Sequence, residues 1–373
     1  MTNALSCNLK FYEKVFYLNQ AIGTSCCRAH SLDLKNYSSI NQLLDHWHNE
    51  HLDLLQNRAI TSCEICWKDE EKNLTSHRLL EGQNEPENHV RLVFSNACNQ
   101  MCSYCSPKYS STWQNDIAKN GMFNNISITS KQNLDYYASD IDQQYWINEV
   151  NNYISAQPDE SVVLTLLGGE PLMQVTNLKA FINMNSAKIK KMIVITNLNP
   201  PDNKFLLWLL DNVSNSKLSF GVSIDATPEF NHIPRAKFDQ DVFLQNLQIL
   251  QLRQYQFKFL ATCSVLNFFG LPNYLKWIQK NNFDVTFSKL SNPDCLNSSY
   301  IPTQFALPVM QQLKNYDVPK FVTELQHSNS LVDLKLREQY NYLTQYFSRT
   351  STDTNTTNVE FNQYWTWLEE RFK

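Results

Sequence analysis

The sequence predicts an α/β fold, a partial (β/α)6 barrel of the TIM type with a small cysteine-rich module before it and helices after it. Two observations lead to this prediction. Apolar runs of strand length alternate with helical patterns through the middle of the chain, and most of the ten cysteines fall in two groups. Strand–helix alternation indicates a parallel sheet with right-handed crossovers. Six repeats are too few to close an eight-fold barrel, so we expect an open one.

The predicted strands are continuous apolar runs rather than alternating ones, which is typical of strands buried on both faces. The six runs are His89–Ser95, Ser161–Leu167, Lys191–Thr196, Leu218–Ile224, Phe257–Leu266 and Asp284–Ser288. Apolar residues at helical spacing fill the segments between them. The predicted helices are Asp142–Ile154, Leu178–Lys190, Asn203–Val213, Asp241–Tyr255 and Leu271–Lys280.

The two ends of the chain do not follow this repeat. Residues 1–88 form a predicted separate module that contains an amphipathic helix over Ile40–His48, and residues 89–300 form the barrel. In the C-terminal extension, residues 301–373, a polar linker over Thr350–Asn358 precedes a helix over Val359–Phe372. We expect the aromatic side chains of that helix to pack on the body of the protein, namely those of Phe361, Trp365 and Trp367.

Composition restricts the classes of function. The 373 residues are 42% hydrophobic and 12% aromatic, which is enough for a large buried core. The net charge is −4 with scattered Lys and Arg, so there is no strong nucleic-acid signal. No leader-like apolar run opens the chain and no stretch of about 18 apolar residues could span a bilayer, so we expect a cytoplasmic protein without a membrane partner. Cysteines in such a protein indicate metal or redox chemistry rather than disulfides.

The first cysteine group directly follows the first predicted strand. Cys98, Cys102 and Cys105 have a C-x3-C-x2-C spacing in one short loop. Three thiolates leave the fourth iron of a [4Fe–4S] cube without a protein ligand, and an open position is typical of a catalytic metal centre. Zinc would require a fourth ligand nearby, which the loop does not offer. The spacing therefore predicts an iron–sulfur cluster.

This motif, with Tyr104 just before its last cysteine, resembles the signature of the radical S-adenosylmethionine (SAM) superfamily. The resemblance implies that the open iron binds the amino and carboxylate groups of SAM and that Tyr104 lies by the adenine. It also implies that the reduced cluster cleaves SAM to methionine and a 5′-deoxyadenosyl radical, which abstracts hydrogen from a substrate. The cofactor carries the chemistry, and the protein positions it and excludes water.

The ends of the next two predicted strands extend the resemblance. The second strand ends in a sequence similar to the family's GGEP motif, whose backbone and Glu receive the amino group of SAM: Gly168, Gly169, Glu170 and Pro171. Glycine permits close backbone approach to a ligand. The third strand ends in Thr196-Asn197, similar to the family's TNG, and the resemblance makes Asn197 a SAM-pocket candidate. Leu198 stands where that motif has glycine.

The fourth predicted strand carries Ser223 and Asp225, followed by His232 and Arg235. This order resembles the VSID…H…R pattern of the peptide-modifying branch, in which the Ser and Arg contact the ribose or carboxylate of SAM. An arginine suits a carboxylate because its planar guanidinium can form two parallel hydrogen bonds. Asn267, after the fifth strand, either reaches the ribose or starts a turn. The resemblance covers roughly residues 89 to 300.

The second cysteine group lies in the N-terminal module and consists of Cys7, Cys26, Cys27, Cys63 and Cys66. It resembles the SPASM/twitch module, which binds auxiliary iron–sulfur clusters and usually follows the barrel rather than preceding it. The implied ligands are Cys7, one of the Cys26–Cys27 pair, Cys63 and Cys66. Zinc is the alternative, because sites of four cysteines, or of three cysteines and a histidine, share this spacing. The nearby histidines are His30, His46, His48 and His51. Cys263 and Cys295 lack such partners, and we expect them to be structural.

These features predict a radical SAM enzyme that modifies a peptide or protein side chain, with a reductant such as a flavodoxin or ferredoxin as partner. A small metabolite or nucleotide is the alternative substrate. A hypothesis of another class is a non-catalytic, zinc-stapled binding protein on a degenerate barrel. The intact cysteine triad and the GGEP sequence count against it, because such a barrel needs no open cluster site. No residue stands out as the acid or base.

Overall fold

The computed structural model describes residues 7–71, 76–80, 87–126, 142–290, 292–325, 330–353 and 358–373. These residues form two compact units that are interleaved along the chain. Of the described residues, the first unit contains those up to 96, 142–195 and 208–219, and the second contains 97–126, 196–207 and those from 220 onward.

Eleven strands lie in the described part of the chain: β1 (Glu13–Tyr17), β2 (Ile22–Thr24), β3 (Leu32–Asp33), β4 (Asn88–Val93), β5 (Met101–Cys102), β6 (Val162–Leu167), β7 (Ile189–Thr196), β8 (Leu218–Ser223), β9 (Arg235–Ala236), β10 (Gln256–Cys263) and β11 (Val285–Lys289). The α-helices described there are α1 (Asn8–Tyr12), α2 (Ile40–Leu55), α3 (Glu64–Glu71), α4 (His77–Leu80), α5 (Ser111–Asn120), α6 (Gln143–Ser155), α7 (Val175–Asn185), α8 (Lys204–Asn212), α9 (Gln240–Leu252), α10 (Val265–Phe268), α11 (Leu271–Lys280), α12 (Thr303–Leu313), α13 (Lys320–Thr323), α14 (Ser330–Thr350) and α15 (Val359–Phe372).

The first unit is built on a sheet with the strand order β3-β2-β1-β4-β6-β7. Strands β1, β4, β6 and β7 pair in parallel, and the edge strands β2 and β3 are antiparallel. The apolar sequence of β6 explains its central place, because its first five residues are buried. Helix α6 packs against both α2 and α7. The predicted α/β fold with a parallel sheet is thereby confirmed at this level, and the partial barrel stays a prediction.

The second unit contains the last four residues of β8, next to β10 and β11 in that order. Strands β10 and β11 are parallel, whereas β5 and β9 form a separate antiparallel pair. Helix α15 covers the predicted span and packs as expected: Phe361 contacts Phe269, and Trp367 contacts Phe305 with ring centroids 5.3 Å apart. Of the predicted linker, residues 354–357 lie outside the described part of the chain.

The N-terminal segment differs from its prediction. The sequence places it outside the strand–helix repeat, yet β1 pairs in parallel with β4 over five residues, from Glu13 opposite His89 to Tyr17 opposite Val93. The sequence conceals this strand because its first two residues, Glu13 and Lys14, are charged and nevertheless buried. The helix predicted at Ile40–His48 is confirmed and continues to Leu55. The domain boundaries near residues 88 and 300 stay predictions.

Two predicted element ends are also wrong. The strand predicted over Phe257–Leu266 stops at Cys263, because the Asn267 side chain accepts a hydrogen bond from the Ser264 backbone N–H and opens helix α10. The helix predicted over Leu178–Lys190 ends at Asn185, where the buried side-chain amide donates to the Phe181 carbonyl. No helix in the described ranges is both long and apolar enough to cross a membrane.

Candidate iron–sulfur and S-adenosylmethionine site

The predicted cluster loop follows β4, and its backbone is fixed by the start of helix α5. The Ser111 hydroxyl accepts a hydrogen bond from the Cys98 backbone N–H, and the Thr112 hydroxyl donates to the Cys98 carbonyl at 2.6 Å. The Ser110 hydroxyl donates to the Gln100 carbonyl and accepts from the Trp113 backbone N–H, so it also caps the helix. The loop and the helix therefore hold each other in one conformation.

Three aromatic side chains hold the same loop, and two of them lie far from it in the sequence. The hydroxyl of Tyr342 donates to the Ser103 carbonyl at 2.6 Å, and that of Tyr346 lies 3.1 Å from the Met101 carbonyl. The Trp113 indole N–H donates to the Cys102 carbonyl. Sequence reasoning missed both tyrosines, because they lie in α14, more than 200 residues from the loop, and no local pattern connects them to it.

The three cysteines of the loop form no disulfide, and their side chains are mostly buried. Cys98 and Cys102 are 9% and 8% exposed, Cys105 is half-buried, and none of the ten cysteines forms a disulfide. Burial raises the pKa of the Cys102 thiol, and the Arg235 guanidinium opposes that rise. Burial also raises the pKa of Cys105, to about 12. Metal binding at these thiols must therefore release protons.

Three predicted SAM-pocket residues form one buried network beside Cys102. Asp225 is completely buried, and its carboxylate accepts hydrogen bonds from the Tyr104 hydroxyl at 2.6 Å and from Arg235 Nε at 2.8 Å. It also accepts from the Thr262 backbone N–H. The Arg235 guanidinium lies over the Tyr104 ring and donates through Nη1 to Cys102 Sγ at 3.7 Å. The structure thus brings these residues together, and their roles toward SAM stay predictions.

Asn197 lies beside the cluster loop. Its side-chain amide donates to the Asn99 side chain, which in turn donates to the Asn199 carbonyl at 2.6 Å. Leu198, between Asn197 and Asn199 in the sequence, has φ = 53°, in the left-handed region that favours glycine. The family's TNG motif has glycine at this position, and this chain keeps the unusual backbone with a buried leucine.

The remaining candidates of the fourth and fifth predicted strands are Ser223, His232 and Asn267. Ser223 is half-buried at the end of β8, and His232 is exposed. The Asn267 side-chain nitrogen donates to the Asp225 and Thr262 carbonyls, and its oxygen accepts from the Ser264 backbone N–H. Both polar atoms of the side chain are therefore hydrogen-bonded to backbone groups. This favours the turn over the ribose contact for Asn267.

The GGEP sequence lies in the first unit, at the carboxyl end of β6. Gly168 has φ = 124°, and a Cβ placed there would lie 2.8 Å from Val93 Cγ1 and 3.0 Å from the Ser95 carbonyl oxygen. The Gly169 backbone N–H donates to the same carbonyl. Glu170 is completely buried and accepts from the Leu172 backbone N–H, and Pro171 begins the short 3-10 turn that follows.

The N-terminal cysteines meet at one pocket of the first unit. Four of them line it together with Lys10, Arg28 and Arg78: Cys7, Cys26, Cys63 and Cys66. Burial raises the pKa of Cys7 and Cys66, and raises that of Cys63 to about 11. The four positions form the ligand set that the resemblance implies. Of the cations around it, Lys10 is paired with Glu50 and Arg78 with Glu70.

Cys27 is not among the residues that line this pocket. It is exposed, and its sulfur lies 3.4 Å from His77 Nε2, while its backbone N–H donates to Glu13. The bonds to Cys26 and His77 lower the pKa of Cys27 to about 4. Within the described ranges, the one set of three potential metal-ligand atoms that lie within 4.8 Å of one another belongs to Glu13, Cys26 and Cys27.

Comparisons with known proteins give distant likenesses only. No protein-family model matches this sequence, and no curated protein matches it. The chain is similar to the solved structure of native anSMEcpe with bound AdoMet, at 14% identity and a TM-score of 0.39 over 69% of this chain and 59% of that one. It is also similar to Streptococcus suis SuiB bound to S-adenosylmethionine, at 12% identity and a TM-score of 0.38 over 83% of this chain and 57% of that one. The chain thus spans less than two thirds of either protein. Likenesses this distant leave the function to be argued from the chain's own residues.

A further pocket of the second unit lies beyond the ends of β8 and β10. Its walls include Ala226, Leu266, Phe269 and Phe361, and the exposed amide of Asn273 lies at its rim. Such a lining can hold a flat or branched apolar group while an amide bonds to a polar end. Helix α15 contributes Phe361, so a segment outside the resemblance helps to shape this pocket.

Proposed function

We propose that this chain is a radical SAM enzyme whose Cys98, Cys102 and Cys105 hold a [4Fe–4S] cluster. The observation that supports this best is the loop itself. Three cysteines that form no disulfide follow a strand of a parallel sheet, on a backbone held by helix α5 and by two buried tyrosines. When bound and reduced, the cluster would supply the electron that cleaves SAM and so generates the radical that takes hydrogen from the substrate.

The loop fits a cluster better than a single ion. The loop supplies three thiolates, which leave one iron of a [4Fe–4S] cube without a protein ligand. A structural zinc would need a fourth ligand, which the loop does not offer. The Ser103 hydroxyl, completely buried between Cys102 and Tyr104, lacks a hydrogen-bond partner among those residues. A buried hydroxyl of this kind is explained by a group that binds beside it.

On the resemblance, the GGEP sequence would receive the amino group of SAM. Gly168 lets its backbone pack closely against Val93 and the Ser95 carbonyl, and the Gly169 backbone N–H donates to that carbonyl. The buried Glu170 carboxylate supplies a negative charge suited to an ammonium group. These residues would bind and orient SAM, and Tyr104, Asn197, Ser223, Asp225 and Arg235 stay SAM-pocket candidates on the resemblance.

We further propose an auxiliary site at the N-terminal pocket, with Cys26 rather than Cys27 as ligand. Cys26 lines the pocket with Cys7, Cys63 and Cys66, whereas Cys27 is not among the residues that line it. Four thiolates could close either a second iron–sulfur cluster, which the resemblance implies, or a zinc site.

The substrate that we propose is a peptide or protein side chain, with a flavodoxin or ferredoxin as electron donor. The apolar pocket beyond β8 and β10 supports a peptide substrate, because the rings of Phe269 and Phe361 in its lining match an apolar side chain and the Asn273 amide can bond to a peptide backbone. A small metabolite or nucleotide is the alternative substrate. Assays for 5′-deoxyadenosine with peptides, metabolites and nucleotides would separate these classes.

Iron, sulfide and zinc per chain, measured after anaerobic purification and reconstitution, test the proposal. We expect about eight irons in the wild type and about four when Cys98, Cys102 and Cys105 are all changed to Ala. Cys26→Ala should lose the auxiliary irons, whereas the matched control Cys27→Ala should keep them. Absence of iron from the reconstituted wild type would overturn the proposal. Zinc retained in place of the auxiliary irons would make the N-terminal site structural.

A further inference from the structure

Arg235 has a fixed position opposite one cysteine of the loop. In the antiparallel pair of β5 and β9, Cys102 lies directly opposite Arg235. Both residues are more than nine-tenths buried, and Arg235 Nη1 donates to Cys102 Sγ at 3.7 Å. Because strand register sets which residues face each other, this contact follows from the fold rather than from a flexible side chain.

Asp225 determines which nitrogen of the guanidinium faces the sulfur. Its two oxygens accept from Arg235 Nε at 2.8 Å and from Nη2 at 3.3 Å. The same carboxylate is held by the Tyr104 hydroxyl and by the Thr262 backbone N–H. Two of the three guanidinium nitrogens are therefore engaged with Asp225, and Nη1 is directed at Cys102. The rigid fork of arginine makes this geometry possible, and lysine could not reproduce it.

A hydrogen bond and a positive charge at a ligand sulfur change the redox properties of an iron–sulfur cluster. Reduction adds negative charge, and a donor at the thiolate stabilises the reduced form, so the reduction potential rises. The Asp225 carboxylate acts in the opposite direction through its negative charge. Both effects are stronger in a buried, poorly solvated site than at a surface.

We propose that Arg235, positioned by Asp225, raises the reduction potential of the cluster held by Cys98, Cys102 and Cys105 through its N–H···S bond to Cys102. The inference rests on the proposed function, since it requires the cluster. It differs from the carboxylate contact that the resemblance implies for Arg235, because it acts on the cluster ligand and not on SAM. Asp225 is thus a positioning residue, and Arg235 acts on the cluster through Cys102.

The test is an anaerobic redox titration of the reconstituted full chain in the absence of SAM, monitored by the EPR signal that disappears when Cys98, Cys102 and Cys105 are changed to Ala. Arg235→Gln should shift the midpoint potential downward, because it removes the charge and the fork. Asp225→Asn removes the opposing charge and also the positioning of Arg235, so its upward shift should be smaller in the wild-type chain than in an Arg235→Gln chain, where only the charge is lost. Arg235→Lys, which keeps the charge and loses the fork, should give a downward shift smaller than that of Arg235→Gln. Leaving SAM out excludes any role of Arg235 in SAM binding.

Arg349→Gln is the matched control. Arg349 also forms an ion pair in the second unit, with Asp116 at 2.9 Å, and its guanidinium lies over Phe123 rather than near a cysteine. We expect no shift in this variant. A downward shift in Arg235→Gln, a smaller one in Arg235→Lys and an Asp225→Asn shift that depends on Arg235 support the inference, since a merely structural role would lower iron content without this pattern of potentials.

An Arg235→Gln potential that stays the same or rises at normal iron content, or an Asp225→Asn shift that is equal with and without Arg235, would overturn it. If Arg235→Gln holds no iron, the direction of the Arg235→Lys shift decides. Absence of iron in the wild type would instead overturn the proposed function, so the two failures are distinguishable.

Discussion

At the scale of single residues, Gly168 shows why the GGEP sequence tolerates no side chain at its first position. Two independent requirements meet there. Its φ of 124° is rarely adopted by other residues, and a Cβ would come within 2.8 Å of the Val93 side chain and 3.0 Å of a backbone oxygen. Gly121 has only the first requirement. Its φ is 75°, and no atom of the described residues lies within 4 Å of the point that a Cβ would occupy.

We therefore expect Gly168→Ala to lower the free energy of unfolding by about 2–5 kcal/mol, the sum of backbone strain and overpacking. Gly121→Ala, the matched control, should cost about 1–3 kcal/mol from strain alone. Urea unfolding measures the difference in unfolding free energy between the two variants, provided that this free energy falls with urea concentration equally steeply in both. Equal costs in the two variants would show that the space beside Val93 and Ser95 is not as restricted as the structure indicates.

At the scale of secondary-structure elements, helix α14 holds the cluster loop in place. The Tyr346 hydroxyl lies 3.1 Å from the Met101 carbonyl and 3.0 Å from the Ile233 carbonyl, and it accepts from the Ala236 backbone N–H at 3.2 Å. One hydroxyl thus joins the start of β5 to the segment around β9. These two strands carry Cys102 and Arg235.

Removing that hydroxyl should loosen the pairing of β5 with β9. We expect Tyr346→Phe to lower the free energy of unfolding by about 1–3 kcal/mol, since it leaves buried backbone groups unpaired. It should also slow cluster reconstitution, measured as iron bound against time. Tyr340→Phe is the control, because Tyr340 stacks on Trp365 and its hydroxyl has no hydrogen-bond partner in the described ranges. A Tyr340 variant as defective as the Tyr346 variant would argue against a specific anchoring role.

Sequence could predict elements and sites whose signal is local, and it failed where the signal is distant. The Cys98–Cys105 spacing and the apolar run of β6 are contiguous, so both could be recognised in the sequence. Strand β1 escaped notice because buried charges interrupt its apolar pattern. The contact of Arg235 with Cys102 could not be predicted, because it depends on the register of two strands more than 130 residues apart.

At the scale of the whole molecule, stability should depend on pH through His89 at the centre of the first unit's sheet. Its side chain is 18% exposed, and its Nε2 lies 2.8 Å from the Thr165 hydroxyl on β6. Burial, and then the neighbouring Arg91 charge, lower its pKa from the ordinary 6.5 to about 4. The nearby carboxylates of Glu13 and Glu87 do not offset these two effects.

The sign follows from which state binds the proton. Between pH 6.5 and pH 4 the unfolded chain protonates His89 and the folded chain does not, so its contribution is complete above pH 6.5 and is lost as the pH falls. We expect that loss to reach about 2–3 kcal/mol at pH 4.5. His89→Gln should remove it, and the fall in unfolding free energy from pH 7 to pH 4.5 should be smaller by that amount. The control variant His46→Gln, at an exposed histidine, should keep the wild-type fall in unfolding free energy between pH 7 and pH 4.5. Carboxylates elsewhere in the chain affect all three proteins equally. Identical slopes in the wild type and the His89 variant would show that this histidine titrates normally in the folded sheet.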